Sequence, residues 1–312
     1  MKTGKGFLMA VVSGSLLLFF LNPALSQQVI KVGSIPIVAE ISLRTALKQG
    51  YFAQEGIKVE PEVGVGGGAA VAALIGGSTQ MTHSAHISTF VARDNGFDVV
   101  IVAPYAQSDP SAIVVRAESG ITAAKQLEGK TVAVNVLKGI NWLYAMEWMA
   151  KAVADPNRVQ WTEIPFPSMV PAVRAGRVEG AYATEPFVTL EVEKGGLKVV
   201  SRPFIEIDPA LEVSGLVATE KWAKPNGELL ERFARALYRG MDYANANRDK
   251  WPEIVAGYTR LQPEWIAKMN MPQYHHPISM ERLQAAADLS LKWGLLKKRL
   301  MVKDMVWPTA LK

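Results

Sequence analysis

The segment 50–85 alternates strand and helix signals, and this alternation constrains the fold more than any other feature of the chain. Apolar and polar residues alternate in Ile57–Val63, with β-branched residues among them, which predicts a strand. Glycines at 66–68 allow a sharp turn in which the backbone passes close to another group. Residues 69–75 then predict a helix, and residues 80–83 predict a second short strand. A helix therefore begins after each of two strands, at the same edge of a sheet. The free N–H groups at the two helix N-termini are suited to binding polar ligands there.

The rest of the chain continues the alternation of strands and helices. Residues 29–35 predict the first strand, and residues 98–103 predict a strand that is buried on both faces. A second set of strands and helices, between residues 112 and 187, has the same pattern. Residues 213–218 predict a strand that carries the chain back, and an amphipathic helix follows at 226–247. We therefore expect an α/β fold with parallel strands.

The N-terminus has the pattern of a secretory signal peptide. Lys2 and Lys5 precede an apolar run at 7–21 and a pattern of small residues that ends at Ser26. The run is shorter than the roughly 20 residues of a comfortable membrane span. We therefore expect cleavage near Ser26, a periplasmic mature chain that begins at Gln27, and no direct membrane insertion.

Composition and length exclude some classes of protein and favour two lobes. The chain has no cysteine, so it forms no disulfide and has no lipid-anchoring cysteine. The formal net charge is +5, and no basic run is dense enough to predict nucleic-acid binding. A chain of 312 residues exceeds the usual size of one compact domain. We expect lobe I to comprise residues 27–106 and 215–312, and lobe II to comprise residues 107–214.

Four motifs occur in a fixed order along the chain and resemble those of a known family. They are Gly-Tyr-Phe-x-x-Glu-Gly-Ile-x-Val from Gly50, Gly-x-x-Gln-Met-Thr-x-Ser from Gly77, Gly-Ile-x-x-x-x-Gln-Leu-Glu-Gly-Lys-Thr-Val-Ala-Val from Gly120, and Pro-Ala-Val-Arg-Ala-Gly-Arg-Val-Glu-Gly-Ala-Tyr-Ala-Thr-Glu-Pro from Pro171. Through these motifs and their order, the chain resembles the periplasmic solute-binding proteins of ABC transporters for nitrate, taurine, alkanesulfonates and thiamine pyrimidine precursors. The resemblance extends over nearly the whole mature chain.

The resemblance implies a two-lobed α/β fold of the type II periplasmic binding proteins. In this fold two crossover connections join the lobes, the ligand lies in the cleft, and the cleft closes on binding. We expect a monomer that needs no cofactor and delivers a small-molecule ligand to a membrane permease and its ATPase. The expected ligand is a small polar organic solute, such as a sulfonate, a pyrimidine or a related organic acid.

The candidate ligand-binding residues lie at predicted strand ends and in the first connection between the lobes. They are Pro36, Gly66, Gly67, Gly68, His83, Ser84, Ala85, Gln107, Ser108, Asn135, Lys138, Asn141 and Glu185. The glycines can bring backbone N–H groups to a polar ligand or can simply form a strand-to-helix turn. His83 either contacts the ligand or packs inside the lobe, and Ser84 either contacts the ligand or only caps the next helix.

The resemblance places further candidates around the cleft. It puts Gln107 and Ser108 at its back, although a solvated turn is the alternative for both. It puts the turn that contains Asn135 and Asn141 opposite the first lobe, facing the ligand. Lys138 in that turn can neutralise an acidic ligand group, but it can equally be a solvated surface lysine.

Two further sets of residues allow a functional and a structural interpretation. Glu185 ends a predicted strand, where its carboxylate suits a ligand N–H group or cation, but it also suits the first turn of a helix. His83 with His86, and His275 with His276, supply four possible metal ligands. They lack a matching carboxylate cluster, so we predict no metal site.

Two other functions compete with transport. A periplasmic sensor module would present its ligand to a receptor or a kinase, and the sequence does not separate it from a transport protein. Fungal relatives of the same fold are enzymes that make the thiamine pyrimidine with a cysteine-rich motif and a histidine. Because this chain has no cysteine, we predict a binding protein and not an enzyme.

Overall fold

The computed structural model describes residues 27–64 and 66–312, together with Met1. The rest of the predicted signal peptide lies outside these residues. The described part forms two five-stranded sheets. Their strands, in chain order, are β1 (Gln28–Ser34), β2 (Ile57–Val63), β3 (Met81–Ala85), β4 (Val99–Gln107), β5 (Ala112–Arg116), β6 (Thr131–Val134), β7 (Gln160–Glu163), β8 (Gly180–Ala183), β9 (Leu197–Ser201) and β10 (Glu212–Thr219).

Helices connect the strands and fill the C-terminal part of the chain. In chain order they are α1 (Ile41–Lys48), α2 (Tyr51–Gln54), α3 (Gly67–Ile75), α4 (His86–Asp94), α5 (Ile140–Lys151), α6 (Phe166–Arg174), α7 (Phe187–Val192), α8 (Pro203–Ile207), α9 (Glu220–Ala223), α10 (Gly227–Ala246), α11 (Trp251–Thr259), α12 (Pro263–Ile266) and α13 (Met280–Lys292). Of the helices in the described ranges, none has the length and apolar character that a bilayer span requires.

The two sheets have the same topology. The first has the strand order β2-β1-β3-β10-β4, and the second has the order β7-β6-β8-β5-β9. In the first, β1 is parallel to β2 and β3, whereas β10 is antiparallel to β3 and β4. In the second, β6 is parallel to β7 and β8, whereas β5 is antiparallel to β8 and β9. The first sheet therefore contains four strands from residues 28–107 and one strand, β10, from residues 212–219, whereas the second sheet is built from five consecutive strands of residues 112–201.

One antiparallel strand in each sheet, β10 in the first and β5 in the second, corrects the expectation of parallel strands. That expectation holds for β1, β2 and β3 and for β6, β7 and β8, which are joined by helical crossovers. β4 leads the chain out of the first sheet and β10 brings it back beside β4, so these two neighbours run in opposite directions. Strand direction was not predictable here because a strand buried on both faces has the same apolar pattern in either direction.

The two connections between the sheets lie side by side. β4 leads into β5, and β9 leads through α8 into β10. Gln107 Nε2 at the end of β4 donates to Glu212 Oε2 at the start of β10, at 3.0 Å. Ser108 N donates to Leu211 O, also at 3.0 Å. The first connection comprises residues 108–111, because β4 continues to Gln107 and β5 begins at Ala112.

Helix α10 covers one face of the first sheet. Leu229, Phe233, Leu237 and Met241 recur on one stripe of the helix, and all four are buried. The sequence predicted this stripe, since residues four apart lie on the same helix face. Buried aliphatic and aromatic side chains of this size each contribute about 1.5–3 kcal/mol to stability, so α10 fixes one layer of the fold.

A glycine brings α10 unusually close to α1. A Cβ atom on Gly240 would lie 2.6 Å from the backbone oxygen of Ser42 and 2.7 Å from Cβ of Ala46. Any larger residue at position 240 would therefore push the two helices apart.

Apolar contacts also run from one sheet to the other. One cluster of buried side chains contains Val99 and Val217 of the first sheet and Val115 and Val132 of the second. This packing holds the strand ends of both sheets close together, which positions the candidate site.

Ser84 does not cap helix α4, contrary to the prediction. β3 continues to Ala85, and Ala85 takes the N-cap position without a side-chain hydrogen bond. The Ser84 hydroxyl donates to the carbonyl oxygen of Ala85 at 3.1 Å and accepts from Thr89 Oγ1 at 3.3 Å. The strand ends two residues later than predicted because Ser84 and Ala85 pair with β10, a contact that the local sequence does not encode.

Candidate functional site

A cavity of about 70 Å³ lies between the two sheets, at the ends of their parallel strands. The first sheet contributes the ends of β1 and β3 and the start of α3, and the second contributes the ends of β6 and β8 and the start of α5. The first connection contributes Asp109 and Ser111, and the start of β10 contributes Val213 and Ser214. Ligands of α/β folds usually bind at such strand ends, so this cavity is the candidate site.

Three polar atoms of residues that line this cavity are buried without a hydrogen-bond partner. They are Asn135 Oδ1, Asn141 Nδ2 and Ser214 Oγ. Leaving a buried polar group without a partner costs about 1–3 kcal/mol, and nearly all such groups in folded proteins are bonded. A polar ligand in the cavity would supply the missing partners to all three.

His83, in β3, is oriented by Glu40, which does not itself line the cavity. Its Nδ1 atom lies 2.9 Å from Oε1 of Glu40, which is fully buried. Glu40 also accepts from the Ser34 hydroxyl at 2.8 Å, and Nε of Arg44 lies 3.9 Å from Oε2 of Glu40. Because donors surround Glu40, it is a carboxylate that only accepts, and Nδ1 of His83 must carry the proton in their bond.

Asp109 is a buried carboxyl group in the first connection, where it forms part of the cavity wall. Its Oδ1 atom accepts from the backbone N–H of Ser111 at 2.8 Å and also from the Ser111 hydroxyl. Burial raises the pKa of Asp109, while the bonds from Ser111 and the charges of His83 and Arg202 act in the opposite direction. Both Ser111 donors stabilise the carboxylate form.

The remaining wall of the cavity is apolar. It includes Ile35, Ile140, Phe166 and Phe204. The ring of Phe166 is stacked on that of Phe187, with centroids 6.2 Å apart and an interplanar angle of 10°. An apolar wall beside a few convergent polar atoms suits an organic molecule with an apolar body and a polar end.

Five of the candidate residues line this cavity together. They are Gly67, His83, Ala85, Asn135 and Asn141. They belong to the two turns that were expected to face one another across the cleft, and the structure brings these turns to one cavity. The other candidates do not line it, and they are Pro36, Gly66, Gly68, Ser84, Gln107, Ser108, Lys138 and Glu185.

Some of these eight residues point to solvent or have a backbone role. Pro36, Gly68 and Lys138 are exposed. Gly66 has a φ of 77°, and a Cβ atom there would lie 2.5 Å from Cδ1 of Ile35, so a glycine is needed for the turn itself. Their observed positions match the structural alternatives stated for the glycine turn and the surface lysine.

Glu185 is engaged within its own segment. Its Oε2 accepts from the backbone N–H of Thr189 at 3.0 Å, and its Oε1 accepts from Thr189 Oγ1 at 2.9 Å. Burial raises the pKa of the Glu185 carboxyl, although both bonds from Thr189 act against this rise. The carboxylate therefore stabilises the start of α7, which is the helix-terminus alternative predicted for it.

Sequence reasoning missed Asp109, Ser111, Thr184 and Ser214, which line the cavity, and Glu40, which orients His83. The Asp109-Pro110 pair was interpreted as a solvated turn. A polar residue directly after a strand as apolar as β4 was the available signal for Asp109. An acidic residue within the apolar run 37–41 was the signal for Glu40, since an acid in such a run is often buried and paired.

The four histidines do not form a metal site in the described ranges, where no three His, Cys, Asp or Glu side chains converge. His83 is bonded to Glu40. Both ring nitrogens of His86 are buried and lack partners, and its ring is stacked near Phe90. Nδ1 of His276 lies 3.2 Å from the backbone oxygen of Lys312.

Several solved structures have the same fold as this chain. The periplasmic aliphatic sulphonate-binding protein SsuA from Escherichia coli is 19% identical, with a TM-score of 0.75 over 90% of this chain and 97% of that one. The periplasmic nitrate-binding protein NrtA from Synechocystis PCC 6803 is 16% identical, with a TM-score of 0.79 over 89% of this chain and 86% of that one. At these identities the likeness shows the fold, which is that of the periplasmic binding proteins.

One solved structure with this fold is named an enzyme. The desulfurization enzyme DSZB is 14% identical, with a TM-score of 0.67 over 91% of this chain and 97% of that one. The fold therefore serves both binding proteins and at least one enzyme. Among curated protein sequences, none matches this chain significantly.

A family model matches more than half of the chain. The model described as NMT1/THI5-like covers residues 40–250. This range includes strands of both sheets, both connections and every residue named above as lining the cavity except Ile35. By this match, and in agreement with the fold, the chain belongs to the NMT1/THI5-like family.

Proposed function

We propose that this protein is the periplasmic substrate-binding component of an ABC importer and that it captures a small polar organic solute. The observation that carries the proposal is the group of buried, unpartnered polar atoms around one cavity between two sheets. A folded protein keeps such atoms unpaired mainly where something else pairs with them. Membership of the NMT1/THI5-like family supports the proposal, as do the names of SsuA and NrtA, which are binding proteins of the same fold.

The two sheets would act as two lobes that close on the solute. We propose that lobe I comprises residues 27–106 and 215–312 and that lobe II comprises residues 107–214. The chain passes between the sheets only at the β4–β5 and β9–β10 connections within the described residues. Gln107 and Ser108 lie in the hydrogen-bonded pair of connections, so we propose a hinge role for them rather than a ligand contact.

The solute would be held by groups from both lobes. We propose His83 and Gly67 as contacts from lobe I, and Asn135 and Asn141 as contacts from lobe II. The fixed orientation of His83 supports this assignment, because a ligand contact that is already ordered loses little side-chain entropy on binding.

The protein would work in the periplasm with a permease and an ATPase as partners. We propose that it is exported by a cleaved signal peptide, acts as a monomer and releases its solute unchanged. The absence of cysteine from the chain supports binding over the cysteine-dependent chemistry of the fungal enzymes.

Calorimetric titration of the mature protein tests this proposal. The panel contains alkanesulfonates, nitrate, carboxylates, amino acids, amines, amidines and pyrimidines, and a thermal-shift screen ranks its members first. A solute at 100 times its dissociation constant should stabilise the protein by about 2.7 kcal/mol. If no member of the panel binds, the proposed function is refuted.

A single substitution tests the site. His83→Ala removes one directed hydrogen bond and should weaken binding of the best solute by roughly 2- to 150-fold. His276→Ala, at a histidine that does not line the cavity, is the matched control. If His83→Ala is folded and binds as tightly as the parent, the solute does not bind in this cavity.

A further inference from the structure

Two hydrogen-bond acceptors in the cavity wall lack donors in the described structure. Asn135 Oδ1 is buried, and no donor of the described residues bonds to it. Both Ser111 donors bond to Oδ1 of Asp109, and within the described chain no donor bonds to its Oδ2. These two acceptors need donors from a ligand.

The charges around the cavity favour the same kind of ligand. Asp109 is the one acidic residue in its wall, and no lysine or arginine of the described ranges lines it. Arg202, whose guanidinium attracts the charge of Asp109, is engaged by the backbone oxygen of Pro110 and does not line the cavity. A bare anion would therefore lose its hydration, face a carboxylate and meet no lysine or arginine of the described ranges in the wall, which is costly.

Donors around the cavity define the other end of the ligand. Asn141 Nδ2 is buried without a partner, and the first backbone N–H groups of α5 have no partner within the helix. A ligand oxygen or ring nitrogen that accepts hydrogen bonds would satisfy them. The apolar wall with Phe166 and Phe204 lies beside these groups and suits a short carbon skeleton or a ring.

We propose that the solute carries a nitrogen group that donates hydrogen bonds, an amine, ammonium or amidine, which is received by Asp109 Oδ2 and Asn135 Oδ1. This inference rests on the proposed function and narrows its ligand to neutral, zwitterionic or singly cationic molecules. It excludes nitrate and simple alkanesulfonates, because neither has a donor for these two acceptors.

Matched pairs of solutes test the inference on the intact mature protein. Each pair shares one skeleton and differs in the nitrogen group: taurine and ethanesulfonate, β-alanine and propionate, 4-aminopyrimidine and pyrimidine, benzamidine and benzoate. Calorimetry measures the affinity ratio within each pair. We expect the nitrogen-bearing member to bind more tightly in every pair that binds at all, by about 10-fold or more.

Two substitutions assign the preference to the cavity. Asp109→Asn keeps an oxygen for the Ser111 donors but removes the negative charge. It should lower the affinity for the nitrogen-bearing member of each pair by about 10- to 150-fold and leave the affinity for the other member nearly unchanged. Asp155→Asn, the same change at an exposed carboxylate outside the cavity, is the control. If Asp109→Asn does not fold, Asn135→Leu takes its place in the experiment. This variant should also reduce the affinity ratio within each solute pair.

The outcomes separate this inference from the proposed function. A preference for nitrogen-bearing members that disappears in Asp109→Asn or Asn135→Leu supports the inference. Binding of nitrate or of the sulfonate and carboxylate members alone overturns it but leaves a solute-binding protein. A preference that both variants retain also overturns it, and a failure of every solute to bind refutes the proposed function as well.

Discussion

Lowering the pH should destabilise this protein through His86, the first residue of α4. The imidazole is fully buried, and neither ring nitrogen has a hydrogen-bond partner in the described structure. Burial, with a smaller contribution from His83, lowers the pKa of His86 from its ordinary value of 6.5 to about 3. The folded protein therefore holds this ring neutral, whereas the unfolded chain protonates it as the pH falls through 6.5.

The direction and the size of the effect follow from this difference in pKa. Between pH 6.5 and about 3 the unfolded state binds more protons at His86, so stability rises with pH in this window and is fully present above it. Acidification from pH 7 to pH 4 should cost about 3 kcal/mol through this residue, at about 1.36 kcal/mol per pH unit. That loss is a large fraction of the roughly 5–15 kcal/mol that stabilises a typical domain.

Buried carboxyl groups oppose this effect and must be separated from it. Burial is the main cause that raises the pKa values of Asp109, Glu185 and Glu212. A carboxyl group with a raised pKa in the folded state favours folding at lower pH, and this contribution is lost as the pH rises through the folded pKa. The pH dependence of wild-type stability therefore combines the effects of His86 and of these carboxyl groups. Comparison with a His86 variant isolates the contribution of the histidine.

Urea unfolding at pH 7 and pH 4, followed by circular dichroism, measures the effect. His86→Leu has a side chain of similar volume that does not titrate, so wild type should lose about 3 kcal/mol more than this variant between the two pH values. His276→Gln, which removes a partly exposed imidazole, is the control. If wild type and His86→Leu lose the same free energy of unfolding to within about 0.5 kcal/mol, the fold does not hold His86 neutral and the reasoning is refuted.

Three further predictions concern packing, export and closure. Gly240→Ala should lower the free energy of unfolding in urea by about 1–3 kcal/mol, because the added methyl group meets the backbone of α1. Gly257→Ala is the control, since a Cβ atom at that position has open space around it. Equal stability of the two variants would contradict the close packing of α1 and α10. Mass spectrometry of the exported protein should find an N-terminus at or near Gln27, and a mature form that retains Met1 would contradict the predicted signal peptide. Small-angle scattering should give a smaller radius of gyration with the tightest solute of the panel, and an unchanged radius would count against hinged closure.

Local sequence was enough to predict the two turns that meet at the cavity. Gly67 has a φ of 58°, a conformation that glycine adopts without strain, and the preceding strand ends where the alternation of apolar residues stops. His83 and Asn135 each lie at or just after the end of a predicted strand, and both line the cavity. These signals depend on neighbouring residues along the chain, so one segment is sufficient to reveal them.

The assignment of the two carboxylates could not be made from the sequence. Glu185 and Asp109 both follow buried strands. The sequence made Glu185 a ligand candidate, with the first turn of a helix as the alternative, and gave Asp109 only a place in a solvated turn. In the structure the Glu185 carboxylate bonds to Thr189, whereas Asp109 lies in the cavity wall and bonds to Ser111. The difference depends on which way each side chain faces once both sheets are assembled.

The sequence by itself therefore determined the α/β class, the order of the strands and helices, the family resemblance and the two facing turns. Only the tertiary structure decided the antiparallel directions of β5 and β10, the bond between Glu40 and His83, and the convergence of Asn135, Asn141 and Ser214 on one cavity. Periodicity reports which face of a segment is buried, because it reflects the repeat of one helix or strand. Convergence depends on the relative placement of two sheets built from distant parts of the chain, and no single segment encodes that placement.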